Sequence, residues 1–169
     1  NGIIENFFEL RSELLSTGVT FESDTDTEVI SHLVNSFIEK GDTPVAAVKN
    51  TIPLLKGAFA LCFLFSGEDD LMIAVRQGSP LAVGYGENEM FVGSDAIALA
   101  ILTEKISYLQ EGDFAIIKRN SIKIKNHLGD SVKREIKKID SSQVRSGKDG
   151  FKHFMLKEIF EQPEALSRI

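Results

Sequence analysis

One cysteine, Cys62, stands in a chain of 169 residues, which excludes an internal disulfide and any cysteine-based metal cluster. No apolar stretch approaches the roughly 20 residues that a membrane span requires. The longest, Ala58 to Phe65, has the length of a strand. Positive charge is scarce: 19 Lys and Arg stand against 25 Asp and Glu, a net charge of -6. Nucleic acid and anionic membranes both demand a basic face, so neither is expected as a partner. There is no signal peptide, the chain begins with Asn rather than Met, and a soluble cytoplasmic protein is the expectation. The 3 histidines are not spaced as metal ligands on one element. His32, His127 and His153 therefore read as surface or packing residues, and no metal or other cofactor is expected. What is abundant is apolar: 43% hydrophobic residues suffice for the core of one domain.

Helical spacing dominates the first third. A helix is expected from Asn6 to Thr17, capped by Asn6, striped by Phe7, Leu10 and Leu14, and stopped at Gly18. Thr25-Asp26-Thr27-Glu28 has the form of a capping box, and Val29, Ile30, Leu33, Val34, Phe37 and Ile38 continue it as a second helix to Gly41. Thr43-Pro44 opens a third, running to Leu54. The period then changes. Ala58 to Phe65, Leu71 to Arg76, Leu81 to Gly86 and Met90 to Val92 read as strands of an antiparallel meander. A short helix over Asp95 to Leu102 precedes strands at Ile106 to Leu109, Phe114 to Lys118 and Ser121 to Lys125. Helices and strands that cluster separately imply an α+β layered domain. The first strand, uninterrupted and apolar, is expected to be central and covered on both faces, with Cys62 inaccessible. Asp140 to Gly150 reads as a linker or exposed loop. Phe151 to Glu161 reads as a helix ending at Pro163, too short for a core of its own, that docks on another domain or a partner subunit.

Chemistry-bearing residues are few. Asn1-Gly2 reads first as a turn dipeptide, yet an amide beside a glycine N–H is also a pair of donors able to stabilise an oxyanion, each lowering the barrier by roughly 3 kcal/mol. Glu22, Asp24, Asp26 and Glu28 alternate along one segment, but the glycine and terminal glutamate of a calcium loop are missing. Helix capping accounts for them, and Asp26 beside a cleft could also pair with a ligand's ammonium group. Gly84-Tyr85-Gly86 lacks the third glycine of a dinucleotide fingerprint and reads as a strand bend. No nucleophile elbow and no phosphate loop are present.

Asn1-Gly2-Ile3-Ile4-Glu5-Asn6, Ser23-x-Thr25-Asp26-Thr27-Glu28-Val29-Ile30 and Leu55-Lys56-Gly57-Ala58-Phe59-Ala60 together resemble a known family. So do Arg76-x-Gly78-Ser79-Pro80-Leu81, Ser94-Asp95, Glu111-Gly112-Asp113 and the block from His153 to Pro163. The resemblance is to the glutaminase domain of the glutamine–fructose-6-phosphate aminotransferases (isomerizing) and covers nearly the whole chain. It implies part of an αββα N-terminal-nucleophile hydrolase sandwich with antiparallel sheets, a class II amidotransferase that hydrolyses glutamine and passes ammonia to a sugar isomerase domain making glucosamine 6-phosphate. Residues 1–140 would be the latter part of that domain, and 141–169 the linker and helical tail leading to the isomerase. Asn1 and Gly2 would form the oxyanion hole, Asp26 would hold the glutamine α-ammonium, and the intact parent would be a homodimer. The family's nucleophile is an N-terminal cysteine, which this chain lacks, so the chain as it stands is expected to be inactive. The competing readings are a class II amidotransferase of the amidophosphoribosyl-transferring kind and a non-catalytic binding domain of the same fold.

Overall fold

The computed structural model describes residues 2–139, 148 and 150–167. Contacts divide the chain into two units, Asn1–Ile139 and Asp140–Ile169.

The apolar spacings noted above become three helices in the first unit. α1 (Phe7–Ser16) buries Leu10 and Leu14, and ends where the N–H groups of Thr17 and Gly18 return to the carbonyls of Leu14 and Leu15. α2 (Asp26–Glu39) buries Val29, Ile30, Leu33 and Val34. α3 (Pro44–Thr51) starts on the Thr43 hydroxyl, which accepts the Ala46 N–H, and tightens into a 3₁₀ turn over Ile52–Leu54. Two expected caps are corrected. The Asn6 side chain makes no cap bond and instead bridges to the chain before β2, donating to Leu54 O and accepting from Lys56 N. The Thr25 side chain likewise caps nothing. Glu28 reaches back further than a capping box requires and accepts the N–H groups of Glu22 and Ser23 and the Ser23 hydroxyl.

Among the described residues, ten strands form two antiparallel sheets. The first has the order β1 (Gly2–Ile4), β2 (Gly57–Leu64), β3 (Met72–Gln77), β7 (Phe114–Lys118), β8 (Ser121–Lys125) and β9 (Ser131–Val132). The second has β10 (Lys137–Lys138), β6 (Lys105–Tyr108), β4 (Ala82–Tyr85) and β5 (Met90–Gly93). The expected single meander is therefore corrected: after β3 the chain crosses to build β4, β5 and β6, then returns to lay β7 on β3. α1 to α3 cover one face of the larger sheet, against Phe59, Leu61, Ile73 and Val75. The other face presents Ala60, Ala74 and Ala115, small enough for the second sheet to approach with Leu81 and Val83. α4 (Ala96–Leu99) sets Leu99 against Ala82 and Ile106 as the outermost layer. Gly84 lies in regular β4, where a Cβ would meet Thr103 Cγ2 at 2.7 Å.

Cys62 is exposed, contrary to expectation. Register explains this. Cys62 pairs with Ala74, and Ala74 with Ala115. The second sheet covers both alanines and Ala60 at the start of β2 but does not reach Cys62, and Leu64, next on that face of β2, is 75% exposed.

In the second unit, α5 (Phe154–Ser167) runs on through Pro163, where a stop was expected. Phe151 stacks on Phe160 at 5.6 Å, and Lys157 pairs with Glu161 at 3.7 Å. The expected loop over 140–150 lies, but for Lys148 and Gly150, outside the described residues. Among the described residues no helix is long and apolar enough to cross a membrane.

Two outcomes follow from this packing. A thiol reagent should label Cys62 completely in the native protein, as read by mass spectrometry. Partial desolvation pushes the thiol above its ordinary pKa, so the rate should stay below that of a free thiol near neutral pH and keep rising with alkalinity. Labelling only after denaturation would contradict the exposed position. Glu28 is held at a pKa of about 2 instead of 4.5, first by the Ser23 hydroxyl and then by the Glu22 N–H. Its folded pKa is depressed, so the stability it lends is full above 4.5 and lost as pH falls toward about 2. Denaturation followed through that window should show a loss that Glu28→Gln abolishes.

Candidate functional site

β1 is a short edge strand whose only partner among the described strands is β2, with Gly2 opposite Phe59, Ile3 opposite Ala58 and Ile4 opposite Gly57. Gly2 has φ +115°, and a Cβ there would lie 2.1 Å from the Ala58 carbonyl oxygen. Only glycine brings the two main chains so close. Just beyond β1, Glu5 N donates to Lys56 O, closing the strand on the β2 side. The Ile4 N–H turns the other way and donates to Asp26 Oδ2 at 2.8 Å.

Asp26 occupies the first turn of α2, half-buried, with its second oxygen 3.3 Å from the Thr27 hydroxyl. Its place is fixed by the loop before it. Arg11 donates to Ser23 O at 2.8 Å and lies 4.3 Å over the Phe21 ring. His32 packs edge-on to the same ring at 4.7 Å and lies 3.4 Å from Glu28, a packing role as the sequence suggested. Glu28 fixes the Ser23 backbone from the helix side. The structure thus brings Gly2 and Asp26 to one strand, separated by roughly 7 Å of extended chain. Asn1 lies outside the described residues.

The segment from Arg76 to Gly78 and the turn at Glu111 hold β2 on its other side. Gly78, at φ +74°, has no room for a Cβ, which would sit 2.5 Å from the Ala58 Cβ. Its N–H donates to both carboxylate oxygens of Glu111, at 2.9 and 3.0 Å. Gln77 Nε2 donates to Gly57 O at 3.3 Å, and Arg76 Nη1 donates to Leu109 O. The turn carrying Glu111 is itself fixed by Asp113, fully buried, which accepts the Gln110 N–H and two bonds from Arg134, at 2.8 and 2.6 Å. This charge-assisted pair raises the Arg134 pKa. Sequence reasoning gave no role to Arg11, Gln77, Glu111 or Arg134. The signal available was that Arg76-x-Gly78 and Glu111-Gly112-Asp113 each couple glycine to charge, and in the fold these segments hold each other.

The model of the glutamine amidotransferase domain family matches residues 1–101. The chain is 54% identical over 167 residues to a glutamine–fructose-6-phosphate aminotransferase [isomerizing] of Brucella abortus, covering 99% of this chain and 28% of that protein. It is 51% identical over 166 residues to one of Bradyrhizobium diazoefficiens, covering 98% and 27%. The chain therefore spans under a third of the length of these relatives. Among solved structures, a glutamine phosphoribosylpyrophosphate amidotransferase from B. subtilis superposes with TM-score 0.63 at 27% identity, over 75% of this chain and 28% of that one. The layered antiparallel sheets agree with that fold, and the chain belongs to the glutamine amidotransferase domain family.

Proposed function

We propose that this chain is part of a class II glutaminase domain that supplies ammonia from glutamine for the conversion of fructose 6-phosphate to glucosamine 6-phosphate. The observation that carries the reading is the Asp26 carboxylate on the Ile4 N–H of the strand that begins at Gly2. Alternation along an antiparallel pair assigns the Gly2 N–H to the same free edge. On this reading the carboxylate takes the glutamine α-ammonium, while Gly2, with the Asn1 side chain, donates to the oxyanion that forms on the carboxamide. Identity of 54% to an aminotransferase, against 27% to the phosphoribosyl-type structure, favours the sugar-directed reading. Residues 141–169 are the linker and tail toward a sugar isomerase domain in the same polypeptide. The exposed Phe154, Met155, Ile159 and Leu166 of α5 supply an apolar face for that contact. A cytoplasmic homodimer is the corresponding assembly.

The reaction needs a nucleophile at the scissile carbonyl, and Cys62 is misplaced for it. It lies four residues along β2 from Ala58, about 13 Å, and its thiol is pushed away from the reactive thiolate. The 169-residue chain should release no ammonia from glutamine, and Cys62→Ser should change nothing. Ammonia release dependent on Cys62 would overturn the mechanism.

Asp26 supplies the test of the binding role, made in the full-length protein carrying this chain. Asp26→Asn keeps an acceptor for the Ile4 N–H and loses the charge. It should raise the KM for glutamine about tenfold or more, as loss of a charge-assisted bond does. Unfolding midpoints should barely move. An unchanged KM would remove Asp26 from the glutamine site, and a full-length protein without glutaminase activity would favour a non-catalytic binding domain.

A further inference from the structure

A separate cavity of about 310 Å³ opens on the helix-covered side of the larger sheet, away from the Ile4–Asp26 contact. Gly2, Ile4 and Asp26 do not line it. Its apolar wall is formed by Ile52 beyond α3 and by Val75 and Phe114, which face each other across β3 and β7. Its basic residues are Lys49, Lys125 and His127, together with Arg76, whose guanidinium is engaged by the Leu109 carbonyl. Lys125 is the cross-strand partner of Phe114. Lys49 reaches from α3 to the turn after β8, its Nζ only 3.8 Å from where a Cβ on Gly129 would stand. No Asp or Glu lines the cavity, although acids outnumber bases in the chain by 25 to 19. Nor does any described residue form an ion pair with Lys49, Lys125 or His127.

Two unpaired lysines beside a histidine and an apolar wall, with no carboxylate to neutralise them, are complementary to a small anion that carries an apolar body. Two lysines and a histidine favour a dianion over a monoanion. A cavity of this size admits a single ring with its substituent. We propose that it is a binding site for a small organic phosphomonoester, the ring against Val75 and Phe114 and the phosphoryl oxygens on Lys49, Lys125 and His127. The proposal is independent of the glutamine reading, because its cavity lies over β3 and β7, shares no lining residue with the Gly2, Ile4 and Asp26 contacts, and is tested by binding alone.

Phenyl phosphate is the probe, titrated into the chain by calorimetry and followed in two-dimensional NMR spectra. Saturable binding is expected at about 1 mM or tighter, with shifts concentrated at Val75, Phe114 and His127. Phenol, inorganic phosphate and benzoate lack the ring, the anion or the second charge in different combinations, and each should bind at least about tenfold more weakly. Lys49→Gln and Lys125→Gln should each weaken phenyl phosphate about tenfold while leaving the spectrum native. Should either variant misfold, the salt dependence of binding to the unaltered chain decides instead: affinity must fall as ionic strength rises. Inorganic phosphate binding as tightly as phenyl phosphate would overturn the proposal. So would shifts confined to other residues, salt-independent binding, or a cavity that accepts an acidic peptide and refuses phenyl phosphate.

Discussion

The approach of one main chain to another at Ala58 is the constraint on which the candidate site depends. β1 lies against Ala58 on one side and the segment through Gly78 on another, and neither approach leaves space for a side-chain carbon. An alanine at Gly2 or Gly78 would have to push β2 aside, and it would also occupy a backbone region that L-residues rarely adopt. Short contact without side chains has a functional corollary. It leaves an edge strand whose outward N–H groups are not screened by bulk, and Asp26 already answers one of them.

Such a contact persists only if both sides are held, and each is held by charge. On the helix side, Arg11 and Glu28 fix the loop that delivers Asp26. On the sheet side, Glu111 fixes Gly78, and Asp113 with Arg134 fixes the turn bearing Glu111. Burying Asp113 completely is costly, and its attraction to Arg134 offsets that cost only because the Gln110 N–H and a two-pronged guanidinium satisfy the carboxylate. The gain is in position rather than net stability. Arg134 precedes β10 of the second sheet, and Ser107 of β6 donates to Glu135 O, so the same short segment ties the turn of one sheet to the other.

The helices were legible in the sequence because their signals are local: Thr43-Pro44 caps α3, and the apolar spacing of α2 survives packing unchanged. The seven strands from β2 to β8 were legible for the same reason, but β1, β9 and β10 were not, and neither was the pairing. Nothing near Gln77 or Ala82 announces that the chain leaves one sheet for another, since that choice rests on alanines at 60, 74 and 115 making room for Leu81 and Val83. Cys62 was misjudged on the same account. An apolar run defines a strand, but exposure depends on whether the second sheet reaches it. Asn6 failed as a cap because a tertiary partner, the chain at Leu54 and Lys56, outcompeted the helix end.

The candidate site divides along the same line. Asp26 was legible as a charge at a helix start and Gly2 as a flexible residue beside an amide, both local properties. That they share a strand was not, because the contact joins residues 22 apart through a main-chain N–H, which carries no mark in the sequence. The roles proposed for both come from the resemblance, and the geometry shows only that the two residues share one strand. A carboxylate that spends one oxygen on the strand is oriented before a ligand arrives, so less conformational freedom is lost on binding than with a free side chain. The same bond joins Asp26 to the strand that carries the proposed oxyanion donor. Any displacement of β1 must therefore move Asp26 with the proposed oxyanion donor, keeping the separation that the proposed reading needs for a single substrate.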